Sequence, residues 1–159
     1  MIDRADTLFV LGCAGLALLA TPAMGLFFGG MVRRKNVLSA FLGCLMPLGI
    51  VILQWTLLGH GLAFGPDLFG GLVGTPDGSL FRARFEPRGD LAPTAPESLV
   101  LGFEMLAAGF AAALAASAGA ERIRPSAAAV FVALWTTLVY DPVAHWMLSP
   151  DGWLHRLGA

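Results

Sequence analysis

Four long stretches of this chain contain neither lysine nor arginine: Thr7–Val32, Asn36–Phe64, Ser98–Ala120 and Ser126–Leu148. A helix rises about 1.5 Å per residue, so about 20 residues cover the roughly 30 Å hydrocarbon core of a bilayer. Each stretch is long enough to cross, and the two longer ones are expected to tilt or extend beyond the core. The runs are continuously apolar, whereas barrel strands would alternate over roughly ten residues, so helices are preferred. Composition agrees, with 57% of the 159 residues hydrophobic and 13% charged, against roughly 25% charged in soluble domains. The expected fold is an all-α membrane protein with four transmembrane helices at about 7–32, 36–64, 98–120 and 126–148 and a loop at 65–97.

The short connections set the orientation. Arg33, Arg34 and Lys35 join the first two spans, and Glu121, Arg122, Ile123 and Arg124 join the last two, which places both on the cytoplasmic side. The N-terminus, the 65–97 loop and the C-terminal tail then lie outside, in a multi-pass protein of the cell membrane. Arg82, Arg84 and Arg88 in the long loop are interspersed with Asp77, Glu86 and Asp90 and carry less weight. That loop is rich in turn signals, Gly65-Pro66-Asp67, Gly70-Gly71, Pro76-Asp77-Gly78 and Pro93. It reads as a surface connection that Phe81, Phe85 and Leu91 could pack across the helices. Asp3 and Asp6 offset Arg4, and the apolar run reaches Val32, so the first span is expected to be retained rather than removed as a signal peptide. Val10-Leu11-Gly12-Cys13 looks like a lipoprotein cleavage box but has too little apolar sequence before it. Neither GxGxxG nor GxxxxGK[ST] accompanies the glycines of Thr21–Val37. With a formal net charge of -1, the bulk balance offers nothing for nucleic acid.

Packing signals differ between spans. Gly25 and Gly29 form a small-xxx-small step for close helix approach, and Pro22 removes a backbone donor and is expected to kink the first helix. In the third span Ala108, Ala112, Ala116 and Ala120 form one small-residue ridge and Ala111, Ala115 and Gly119 the next, so that helix should be surrounded by others. Cys13 and Cys44 read as packing residues.

Two acids fall inside apolar runs, Glu104 in the third and Asp141 in the fourth. An ion at the centre of a membrane helix costs roughly 2.5–3.5 kcal/mol on insertion scales, so each needs water, a partner or a proton. Both are functional candidates by that default. Asp141 precedes Pro142, and the alternatives of an interfacial position or of hydrogen bonds from backbone freed by a kink stay open. His60 and His145 lie toward the outer ends of their spans and His155 in the tail, without metal spacing. Together with Trp55, Trp146 and Trp153 they read first as interfacial hydrogen-bonding residues and anchors. No nucleophile, base and orienting group stand at credible spacing, so neither an enzyme nor a cofactor is expected.

Several strings, in order, resemble a known family. Thr21-Pro22 with Leu26-Phe27-Phe28-Gly29-Gly30-Met31-Val32-Arg33 and Lys35-Asn36-Val37-Leu38, then Leu53-Gln54-Trp55 with Gly59 and Leu62-Ala63-Phe64-Gly65, then Gly119-Ala120-Glu121-Arg122-Ile123, and finally Leu134-Trp135 with Pro142-Val143-Ala144-His145-Trp146, are similar to the N-terminal part of ammonium transporters of the Amt/Mep/Rh type. The resemblance implies a trimer whose protomers each hold a pore for ammonia or ammonium. It places Phe27 on the path and Phe103 beside a phenylalanine gate. Glu104 stands where the family usually has glutamine. The gate phenylalanine aligns with Ala107 and the outer-site tryptophan with Leu148, so both aromatic surfaces are missing here. The family has about eleven helices in two inverted five-helix repeats, and these residues correspond to an incomplete first repeat. The paired pore histidines and the second repeat have no counterpart among them.

The expected function is ammonium or ammonia transport across the lipid bilayer, by a chain incomplete on its own that works in a homotrimer or with a complementing second-half polypeptide. The alternatives are a non-conducting module that senses ammonium or binds a partner, and a degenerate truncated relative.

Overall fold

The computed structural model describes residues 2–76, 87–88, 92–119 and 122–158. Phe81, Phe85 and Leu91, the charges Asp77, Arg82, Arg84, Glu86 and Asp90, and the pair Ala120 and Glu121 lie outside the described residues, as does the side chain of Arg88.

Four helices are long and apolar enough to cross a membrane. The first is α1, Arg4–Met31, an unbroken helix through Pro22. Its entry is set by Asp3, whose carboxylate accepts hydrogen bonds from the Ala5 and Asp6 amides at 2.7 and 3.3 Å. A 3₁₀ turn, Arg34–Asn36, leads into α2, Val37–Gln54, then a π turn, Trp55–Gly59, then α3, His60–Phe64, all in one line. The third span is α4, Glu97–Ser117. The fourth repeats the pattern of the second, with α5, Pro125–Trp135, a π turn, Thr136–Tyr140, and α6, Asp141–Leu148. Pro125 opens α5, where its missing N–H removes nothing from the helix. A short α7, Trp153–Arg156, follows.

The spans form a bundle in which α2 packs on α1, α4 and α5, while α3 packs on α6. Small residues determine the spacing. Gly25 and Gly29 of α1 are buried, and a Cβ at Gly25 would stand 3.0 Å from the Phe41 ring and 3.3 Å from Cys44 Cβ. On α4 Ala108, Ala112 and Ala113 are fully enclosed, and a Cβ at Gly109 would collide with Leu48 Cδ1. The core joins Val51, Trp55, Ala63 and Phe64 to Ala108, Ala112, Val132 and Ala144. Cys44 is buried, whereas Cys13 is only half-buried. Outside this core Leu8, Phe9, Leu16, Leu26, Leu38, Leu53 and Leu138 are each at least 67% exposed, which is the surface a bilayer or further helices would cover.

One face of the bundle carries the N-terminus and the described parts of the connection between the second and third spans. That connection holds two short strands the turn signals did not indicate, β1, Pro87–Arg88, antiparallel to β2, Ala92–Pro96. The Asp3 amide donates to the Thr94 carbonyl at 2.8 Å, so the start of α1 is tied to β2.

Candidate functional site

Gln54 ends α2 and Asp141 begins α6, each at the edge of a π turn, and the two turns touch. A π turn widens the helix by one residue and loosens its carbonyls. Threonine hydroxyls in the turns bond back to carbonyls of the preceding helix: Thr56 donates to Ile52 O at 2.6 Å, Thr136 to Val132 O at 2.7 Å and Thr137 to Ala133 O at 2.8 Å. Threonine can bond back to the preceding turn in this way without leaving the helix. Between the turns the Gln54 Nε2 group donates to Asp141 Oδ2 at 2.6 Å and to Thr137 Oγ1 at 3.2 Å.

Asp141 has no exposed surface. Its carboxylate is held by the Gln54 side-chain amide. The Asp141 Oδ1, Gln54 Oε1 and Trp55 Nε1 atoms are buried without hydrogen-bond partners. Trp55 is 1% exposed, which corrects its reading as an interface anchor; its ring meets His60, Phe64 and Tyr140 edge-on, with centroids 6.2–6.3 Å apart. The apolar surface of an indole is stabilised by burial in the helix seam as readily as at the interface, and here the seam is wide enough to take it. Tyr140 is within electrostatic reach of both Asp141 and Glu104.

A strap, residues 65–76, closes the N-terminal face above this seam. The Asp67 carboxylate accepts from the Gly71 amide at 2.7 Å and the Phe69 amide at 3.4 Å, around a turn in which Gly70 and Gly71 take φ of 71° and 95°. The Trp146 indole donates to Leu72 O at 2.7 Å, and the Trp153 amide donates to Gly71 O at 3.3 Å. His145 is fully buried. Its Nδ1 is 2.9 Å from Ala63 O, and since a carbonyl only accepts, that nitrogen carries the hydrogen. Its Nε2 lies 3.6 Å from Asp67 Oδ1. Partial desolvation pulls the Asp67 carboxyl upward, but the amides of Gly71, Phe69 and Gly70 and the His145 ring outweigh it and hold it below the ordinary carboxylate range. His60 is likewise buried, its ring stacked on Phe64 at 5.7 Å.

The remaining candidates are distributed unevenly. Phe103, Glu104 and Ala107 are partly buried along α4. Leu148, half exposed at the end of α6, lines an apolar hollow of about 310 Å³ with Trp135, Tyr140 and Val143. Phe27 stands apart: it is 64% exposed, rests edge-on against Phe28, and lies four residues before the end of α1, toward the face opposite Leu148. A larger hollow of about 550 Å³ near Asn36, Cys44 and Ile123 contains none of these positions. Gln54, Thr137, Tyr140 and Asp67 were not weighed as chemistry from the sequence. The signal available for Gln54 was its amide in an otherwise apolar stretch, a few turns from the end of its run, as Asp141 is in the fourth.

Four apolar spans, two of them interrupted by facing π turns around a buried carboxylate, define a polytopic helical membrane protein. A profile of the Ammonium Transporter Family matches residues 8–159, and the chain belongs to that family. It is 43% identical over 160 residues to an ammonium transporter of Bacillus subtilis, covering 99% of this chain and 38% of that protein. It is 34% identical to ammonium transporter Amt1 of Archaeoglobus fulgidus, covering 95% and 36%. The crystal structure of Candida albicans Mep2 superposes with a TM-score of 0.82 at 29% identity, over 98% of this chain and 34% of that one. The chain thus spans somewhat over a third of the length of the relatives it matches.

Proposed function

We propose that the chain supplies the first four spans of an ammonium or ammonia transporter of the cell membrane, with its N-terminus outside, and that conduction needs the remaining helices from further polypeptide. The observation carrying this is the match along nearly the whole chain to somewhat over a third of the length of proteins named ammonium transporters. In this reading Phe27, Phe103, Glu104, Ala107 and Leu148 face the substrate path once the second half is in place, and the protein works as a homotrimer. Glu104 adds an anionic group that attracts a cation into the path. The test is uptake of labelled methylammonium by cells lacking their own ammonium transporters. Co-expression of this chain with the second half of a full-length relative should restore uptake, and the chain alone should not. Absence of uptake from the pair, where the full-length relative transports, excludes the reading.

A non-conducting module that senses ammonium or binds a partner is favoured by Ala107 and Leu148, which remove two aromatic surfaces that could hold a cation. Ala107→Phe with Leu148→Trp separates the two. Gain of ammonium binding in the double variant supports the transporter scaffold, whereas a module with another ligand gains none.

A further inference from the structure

The seam between the second and fourth spans holds polar atoms that the residues around them leave unused. Asp141 is completely enclosed, and only one of its carboxylate oxygens is engaged, by Gln54 Nε2. Its other oxygen and Gln54 Oε1, both acceptors, belong to one hydrogen-bonded carboxylate and carboxamide pair, and both are buried without a partner. When ionised the pair is negative, and none of the four apolar runs contains a lysine or arginine to balance it. Glu104 of α4 is a second acid within reach of Tyr140. The Trp55 Nε1 donor beside them is also unpartnered, but the two oxygens that share the Gln54–Asp141 hydrogen bond are both acceptors, and such a pair suits a positively charged ligand. The framework is also ordered for such a role. Thr137 holds the carboxamide from the second side, threonine hydroxyls of the π turns bond back to carbonyls of α2 and α5, and Gly59 leaves the space the carboxamide occupies. Interrupted helices facing each other within the bilayer are a general means of building cation sites from side-chain and carbonyl oxygens.

We propose that Asp141 and Gln54, steadied by Thr137 between the two π turns, bind one small monovalent cation, ammonium or an alkali ion, in the membrane interior. The cation neutralises the carboxylate and is coordinated by Asp141 Oδ1 and Gln54 Oε1. The site is built from residues to which the family resemblance assigns no role on the path. It does not require that the chain conduct.

The experiment uses the 159-residue chain purified into lipid nanodiscs, with thermal unfolding followed while ammonium chloride, sodium chloride or potassium chloride replaces choline chloride at constant ionic strength. Binding to the folded state raises the midpoint saturably, by about 2–4 °C at high occupancy. The three salts distinguish ammonium from alkali ions. Asp141→Asn and Gln54→Leu should each abolish the shift, while Asp151→Asn, at an exposed ion pair with Arg156, should keep it. The proposal is overturned if small cations act no differently from choline on the unaltered chain, or if Asp141→Asn responds as the unaltered chain does. The choline comparison needs no variant, so it decides the matter even if Asp141→Asn does not fold. A cation shift in a chain that never supports methylammonium uptake leaves this site standing and removes the transport reading. Restored uptake without a shift does the reverse.

Discussion

An added Cβ at Gly59 would stand 2.7 Å from Gln54 Oε1 and 3.0 Å from Trp55 Cε3, so glycine is what lets the carboxamide lie back across its own π turn toward Asp141. Gly59→Ala should therefore displace Gln54 and strip a buried acid of its amide partner, at a cost of about 1–3 kcal/mol. Gly49→Ala, with nothing within 4 Å, should change stability little. Unfolding titrations in mixed micelles compare the two, and equal effects would show that the carboxamide is not held by this contact. Asp67 supports a pH prediction. Its folded carboxyl titrates below its unfolded value of about 3.9, so its contribution to the strap is complete above that value and is lost as pH falls through the lower, folded one. Amide exchange at Phe69 and Gly71 should quicken only in strong acid, and Asp67→Asn should quicken it at neutral pH. Glu104 and Asp141 could be picked out from the sequence because a charge in an apolar run stands out. Gln54 and Thr137 could not, because a neutral polar side chain in such a run has a dozen bland roles until its partner is known.

At the scale of elements, small residues set how closely the helices approach. In lipid the helices have little hydrophobic drive to associate, so close van der Waals packing has to supply it. Gly25 brings α1 onto Phe41 and Cys44 of α2, and Gly109 brings α4 onto Leu48. Gly25→Leu and Gly109→Leu should each destabilise the bundle by about 1–3 kcal/mol through overpacking, read from the same micelle titrations. A Gly12→Leu control, facing open space, should not. The small-xxx-small step of α1 and the alanine ridge of α4 were legible because a helix repeats on three- and four-residue spacings. The π turns were not, since nothing in Trp55–Gly59 or Thr136–Tyr140 differs locally from helix-forming sequence. They depend on threonine back-bonds and on the fit between spans. The pairing of β1 with β2 rests likewise on contacts that turn signals alone do not specify.

For the molecule as a whole, the broad exposed apolar surface is what a bilayer would cover. The N-terminus and β2 share one face through the Asp3 and Thr94 hydrogen bond, so both should react alike in an accessibility experiment. In a background with Cys13 and Cys44 replaced, cysteines at Asp3 and Thr94 should be labelled by an impermeant maleimide from outside intact cells, and a cysteine at Arg34 only after permeabilisation. The opposite pattern would reverse the proposed orientation.

Periodicity, the absence of cations from four long runs and the strings around Phe27–Val37 and Pro142–Trp146 were enough to determine a four-span membrane scaffold and its family. That information is local, because the cost of burying charge in hydrocarbon acts on each segment separately and the family strings are contiguous. The meeting of Gln54 with Asp141, the enclosure of Trp55 and His145, and the placing of Glu104 within reach of Tyr140 were decided only by tertiary structure. Their residues are separated by dozens of positions, and only the packing of the second, third and fourth spans determines which polar atoms find partners and which are left over.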